Sequence, residues 1–111
     1  LLWSDPGDVT EWTRTERRCG YLFGENHCKE FLEKNHCDMI VRSHEMVDGH
    51  EIKFNGLLVT IWSAPNYSYR TLNRASVLVL DRQGYQIRIF DSNPERIEPA
   101  YPQVSGSIYF T

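Results

Sequence analysis

Long apolar runs are missing from this 111-residue chain. The longest, Gly56 to Trp62, is interrupted by Thr60 and falls far short of the roughly 18 residues a membrane-spanning helix needs, so no membrane is expected among its partners. An excess of positive charge is missing too. Twelve Lys and Arg stand against 15 Asp and Glu, a formal net charge of −3, which removes the electrostatic footprint of a nucleic-acid binder. Cysteine is scarce and odd in number: Cys19, Cys28 and Cys37 cannot all pair within one chain. No basic-then-apolar leader opens the sequence, so a reducing cytoplasmic or nuclear setting is expected. Zinc-site spacing is absent as well, since His27-Cys28 and His36-Cys37 match neither Cys-x2–4-Cys nor His-x3–5-His. There is no internal repeat, no linker and no leading methionine. The opening Leu1-Leu2-Trp3 reads as the end of a buried strand, the expectation for a fragment.

What is present describes an ordinary globular chain of one domain at most, 41% apolar and 24% charged. Ser4-Asp5-Pro6-Gly7-Asp8 is a turn cluster that stops the first strand. Val9 to Gly24 has no sustained period and reads as an ordered loop. From Glu25 to about His36, Cys28, Phe31 and Leu32 recur at i, i+3, i+4 among charged residues, which predicts an amphipathic helix. Met39-Ile40-Val41 predicts a short buried strand. Asn55-Gly56 between Glu51–Phe54 and Leu57–Trp62 is a strong hairpin signal, because both residues tolerate positive φ. A second hairpin is expected from Ala75–Leu80 to Tyr85–Phe90 across Asp81-Arg82-Gln83-Gly84, with one face of its second strand meeting solvent. Residues 1–91 then make the folded part, and 92–111, with Pro94, Pro99 and Pro102, an extended tail. One helix followed by about five strands is an α+β arrangement.

Four segments put hydrogen-bonding or ionisable groups at the ends of these elements: Leu1 to Pro6 (LLWSDP), Arg17 to Gly24 (RRCGYLFG), Arg42 to Glu45 (RSHE) and Ser63 to Tyr67 (SAPNY). Alone, each has an ordinary reading. An Asp before Pro is usually a turn former, a strand-end histidine is usually half-buried and satisfied, and clustered arginines usually make a solvated face. Taken together and in this order, they resemble the C-terminal half of the catalytic domain of the phosphoprotein phosphatase family, the serine/threonine phosphatases with a bimetal centre. The resemblance covers essentially the whole chain. It is closest to the type-2A, type-4 and type-6 branch, through Gly7 to Trp12, the LLVTIWSAPNY run from Leu57 to Tyr67, Tyr69-Arg70, and the ending Tyr109-Phe110.

The resemblance implies a calcineurin-like metallophosphoesterase β-sandwich flanked by helices, and hydrolysis of phosphoserine and phosphothreonine by a hydroxide held between two metal ions, Mn or Fe and Zn. It implies that His44 is a metal ligand, that Arg17 binds the substrate phosphate, that Asp5 supports the catalytic network, and that Tyr67 lines the cleft. Phosphoprotein substrates and regulatory and scaffold subunits are the implied partners. The chemistry suits the residue types: a guanidinium meets phosphate oxygens bidentately and stabilises their charge, and two metal ions acidify a water and clamp a phosphoryl oxygen.

Departures from the branch's pattern are also legible. Arg18 and Leu72 stand where glycines are usual, Ser68 and Thr71 where cysteines are, and Thr111 where the branch ends in leucine. The loop after His44 is one residue shorter. The GDxHG, GDxxDRG and GNHE segments, which supply most metal ligands in the family, do not occur here. The alternative reading is therefore a non-catalytic pseudophosphatase or interaction module that binds a scaffold or regulatory subunit.

Overall fold

A computed structural model of the chain describes residues 3–17 and 19–95. The expected helix forms as α1 (Glu25–Asn35). Its start is set by Gly24, whose N–H donates to His27 Nδ1 at 2.9 Å, and whose absent Cβ would stand 1.8 Å from the Val9 carbonyl oxygen. Only glycine fits there. Glu25 pairs with Lys29 one turn on at 2.7 Å. The helix stops where His36 turns left-handed, φ 55°, and Cys37 N–H reaches back to the Leu32 carbonyl at 3.0 Å. Cys28 and Leu32 are buried as the spacing predicts, whereas Phe31 is 47% exposed because it lies on the rim of an open cleft.

Before the helix, the expected loop over residues 9–24 contains two short strands. β1 (Asp5–Pro6), β2 (Thr13–Arg14) and β3 (Tyr21–Phe23) form a sheet with β3 central, β1 parallel to it and β2 antiparallel. Strands of two or three residues are too short for an alternation to appear in sequence. The first strand is thus not the Leu1–Trp3 run. Leu1 and Leu2 lie outside the described residues, Trp3 sits in a turn and is 62% exposed, and the pairing falls on Asp5 and Pro6. Pro6 is tolerated because β1 is an edge strand, where a missing N–H costs no ladder bond.

After the helix come five strands, as expected. β4 (Ile40–Arg42), β5 (His50–Lys53) and β6 (Leu58–Ile61) form the second sheet in the order β4-β6-β5. β4 runs parallel to β6, with Arg42 opposite Thr60, and β5 to β6 is the Asn55-Gly56 hairpin. Phe54, Asn55 and Gly56 all take positive φ in its turn. β6 carries the core, since Leu58, Val59 and Thr60 are fully buried. β4 is an edge strand and therefore only half-buried, with Val41 42% exposed.

β7 (Ala75–Asp81) and β8 (Gly84–Phe90) are the second hairpin, its turn held by Asp81 Oδ1 accepting from Gln83 and Gly84 N–H. Ala75 and Ser76 are buried, and Ser76 ties β7 to the second sheet by donating its hydroxyl to the Gly49 carbonyl at 2.6 Å. Beyond Ser76 both strands are mostly exposed on both faces, not on one, because the ribbon has two strands and no layer upon it. Of the expected tail, residues 92–95 carry no regular structure, and 96–111, including Tyr109, Phe110 and Thr111, lie outside the described residues.

Candidate functional site

The parallel pairing of β4 with β6 points the carboxyl ends of both strands the same way, and loops after such ends are where α/β sheets place ligands. β4 delivers Arg42-Ser43-His44, and β6 delivers the loop from Trp62 to Tyr67. From the first sheet, β1 brings Asp5 to the same place. Asp5 is 5% exposed, a depth at which a carboxylate needs partners. It has three cationic or titratable neighbours. Arg42 Nη2 donates to its Oδ1 at 2.7 Å, Arg17 Nη1 stands 3.9 Å from its Oδ2, and His44 Nε2 stands 3.9 Å from its Oδ1.

Arg17 reaches this point from the loop between β2 and β3, which folds closely over β1. Gly20, at φ 74°, permits the approach: a Cβ there would stand 2.0 Å from the Trp3 carbonyl oxygen. The Arg17 side chain is 59% exposed, so the guanidinium meets Asp5 loosely on one edge and is open on the rest to an anion. Arg18, next to it, lies outside the described residues. His44 takes φ 83°, an uncommon conformation for a histidine, and its ring meets Trp3 edge-on at 4.9 Å. Strain of this kind persists where the surroundings hold it.

Tyr67 is placed differently. Its ring packs edge-to-face on Trp62 at 4.9 Å and is 46% exposed, and among the described residues no hydrogen bond or ion pair joins it to Asp5, Arg17 or His44. Its position is set by Asn73, a residue the sequence pattern did not mark. Asn73 Oδ1 accepts from Tyr67 N–H at 2.8 Å and from Thr71 Oγ1 at 2.6 Å, while Nδ2 donates to the carbonyls of Ala64 and Arg74. Four residues of this loop, Asn66, Ser68, Tyr69 and Leu72, have positive φ. A second clasp closes the loop from outside, where Arg74 forks onto Asp48 at 2.7 Å and holds that carboxyl below the usual carboxylate range.

Arg42 opens the Arg42–Glu45 segment that stands out in the sequence, but the resemblance gave it no role; a charged side chain ending the apolar run Met39-Ile40-Val41 was the signal that could have found it. Its side chain is 12% exposed. An apolar cleft of about 580 Å³ opens beside Arg42 and His44, walled by Trp12, Phe23, Phe31 and Val41. His27 and Cys28 border the same cleft; His27 caps α1 and stacks near Trp12 at 4.7 Å, and Cys28 faces the core.

No model of a protein family matches the chain, so its relationships rest on individual proteins. It is 51% identical over 82 residues to the serine/threonine-protein phosphatase 4 catalytic subunit of Saccharomyces cerevisiae, an alignment covering 73% of this chain and 27% of that protein. It is 40% identical over 112 aligned positions to the serine/threonine-protein phosphatase 6 catalytic subunit of Drosophila melanogaster, covering 99% of this chain and 37% of the relative. A solved protein serine/threonine phosphatase from Saccharomyces cerevisiae, described as similar to human phosphatase PP5, superposes with a TM-score of 0.76 at 28% identity, over 86% of this chain and 34% of that one. The chain belongs to the phosphoprotein phosphatase family.

It spans about a quarter to a third of the length of those relatives. The three small sheets and the helix are accordingly a portion of a calcineurin-like phosphatase fold, the class the resemblance implied. Among the described residues no group of three His, Cys, Asp or Glu side chains converges as a metal site needs, so His44 and Asp5 do not by themselves fit a metal pair.

Proposed function

We propose that the protein carrying this chain is a serine/threonine protein phosphatase, hydrolysing phosphoserine and phosphothreonine esters of protein substrates in company with regulatory and scaffold subunits. The observation that carries this reading is the convergence on buried Asp5 of an open guanidinium, Arg17, and a strained histidine, His44, at the carboxyl ends of parallel strands. The names of the relatives give the reaction class.

In this reading Arg17 receives the oxygens of the phosphoryl group. Asp5 holds Arg17 from behind and fixes the direction of its fork. Tyr67, on the neighbouring loop, lines the cleft where the phosphorylated side chain enters. His44 supplies one ligand to a metal site whose other ligands come from outside the described residues. Two metal ions, if held there, would supply Lewis acidity and a water acidic enough to react near neutral pH. The oxygen of a water bonds to phosphorus as the bond from phosphorus to the serine or threonine oxygen breaks; the leaving oxygen takes up a proton, and the products are the free hydroxyl and inorganic phosphate.

The test is turnover of a phosphoserine peptide by the full-length protein that carries this chain and by its Arg17→Ala variant. Each hydrogen bond to a charged group contributes about 1.5–3 kcal/mol, so kcat/KM should fall ~10- to 100-fold for each bond lost. Wild-type turnover in folded Arg17→Ala would remove Arg17 from the site. A full-length protein carrying this chain that binds regulatory subunits but turns over nothing would support the interaction-module reading instead.

A further inference from the structure

The structure assigns to Arg42 the task of positioning Asp5, and through it the phosphate-facing edge of Arg17. The inference rests on the phosphatase reading above and adds to it a residue that touches neither substrate nor metal. Its basis is the pattern of Arg42's bonds. One nitrogen, Nη2, donates to the Asp5 carboxylate at 2.7 Å and to the Ser4 carbonyl at 3.1 Å, gripping both the side chain and the backbone of the strand that carries Asp5. The other, Nη1, reaches Thr60 Oγ1 at 3.4 Å and Glu45 Oε2 at 3.5 Å.

Thr60 is fully buried in the central strand of the second sheet, and Glu45 follows His44 directly. A planar guanidinium therefore spans the gap between two sheets that share no ladder bond, and fixes the first against the most deeply buried strand of the second. Asp5 in turn offers one oxygen, Oδ1, to Arg42 and His44 and the other, Oδ2, to Arg17. The tight contact is the one to Arg42; the other two are loose. With Arg42 holding Oδ1, the plane of the carboxylate is set, and Oδ2 is aimed at the loop that carries Arg17. Without it, Asp5 could rotate and draw Arg17 away from the cleft. Misplacement of a reacting group by about 1 Å is enough to cost on the order of 100-fold in rate.

The experiment measures kcat and KM of the full-length protein that carries this chain on a phosphoserine peptide for Arg42→Gln, Arg42→Lys, Asp5→Asn and the Asp5→Asn/Arg42→Gln pair, with a thermal melt of each. Arg42→Gln should lower kcat by about 100-fold with KM changed less than about twofold, and Arg42→Lys, which keeps the charge but not the fork, should fall between it and wild type. The decisive comparison is the pair. If Arg42 acts through Asp5, adding Arg42→Gln to Asp5→Asn should cause little further loss, whereas a merely structural clamp gives losses that multiply. Where Arg42→Gln does not fold, Arg42→Lys with and without Asp5→Asn makes the same comparison. Multiplying losses, or wild-type kcat in a folded Arg42 variant beside an inactive Asp5→Asn, overturn this inference alone. Wild-type turnover in Asp5→Asn overturns the role given to Asp5 in the proposed function, and this inference with it.

Discussion

Leu72 stands where the related branch usually has glycine, and its backbone is left-handed, φ 53°, with the side chain 83% exposed. Nothing is gained by packing to offset the conformation. A left-handed L-residue costs about 1–2 kcal/mol, and the extra freedom of glycine favours the unfolded chain by about 0.4–1 kcal/mol. Leu72→Gly should therefore stabilise the fold by roughly 0.5–1 kcal/mol, and an unchanged or lowered denaturation midpoint would show that the strain is not there. Cys28 gives a second expectation. Burial raises its thiol pKa, with the nearby Glu25 carboxylate adding to the effect. A thiol whose folded pKa lies above its unfolded value contributes stability that is complete below the unfolded pKa and is lost as pH rises toward the folded one. Stability should thus decline as pH climbs past the ordinary thiol range, and Cys28→Ala should flatten that alkaline limb while lowering stability at neutral pH. Iodoacetamide footprinting by peptide mass spectrometry gives an independent check, with Cys19 and Cys37, both exposed, labelled before Cys28.

Among the elements, the loop from Ala64 to Arg74 depends most on one side chain. Removing Asn73's amide in Asn73→Ala leaves Tyr67 N–H, Thr71 Oγ1 and two carbonyls to find other partners, and each buried polar group left unpaired costs about 1–3 kcal/mol. Amide exchange at Asn66 and Tyr67 should speed up by at least tenfold while β6 keeps its protection; unchanged exchange would show that the loop is held elsewhere. None of this was legible along the chain, because Asn73 reads as a loop residue and its bonds reach back as far as Ala64. The elements that could be read are those with internal signals. Cys28 and Leu32 set the helix face, Asn55-Gly56 the first hairpin, and Asp81 to Gly84 the second. β2 and β3 were hidden because so few residues show no alternation, and β1 because Asp5-Pro6 has the composition of a turn. At the site, Asp5, Arg17 and His44 were reached through a resemblance to known phosphatases, and the structure brings those three together. Arg42 was not, since its partners Ser4 and Asp5 lie 38 and 37 residues away and only the pairing of sheets places them side by side.

At the scale of the molecule, the distribution of apolar surface decides how the 111-residue chain behaves by itself. Cys28, Leu32, Leu58, Val59 and Ala75 are the buried apolar residues among those described, a small core centred on β6. Against it stand Trp3, Phe31, Val41, Ile52, Val77, Leu80 and Ile89, all at least 40% exposed. They are spread over the turn before β1, the cleft wall, the edge strands β4 and β5 and the faces of the β7–β8 ribbon. Ile40 and Ile61 are half-buried. Apolar surface of this extent drives association when no layer covers it, and the exposed edge of β4 and the two-stranded ribbon offer unpaired backbone to other copies. A hydrophobic dye should therefore bind the isolated chain strongly, its light scattering should rise with concentration, and its thermal transition should be broad. With His44 lacking converging co-ligands among the described residues, added manganese should produce no phosphopeptide turnover. A concentration-independent monomer with a sharp melt would show that β6 and its neighbours make a sufficient core, and metal-dependent turnover by that monomer would place the remaining ligands within the 111 residues.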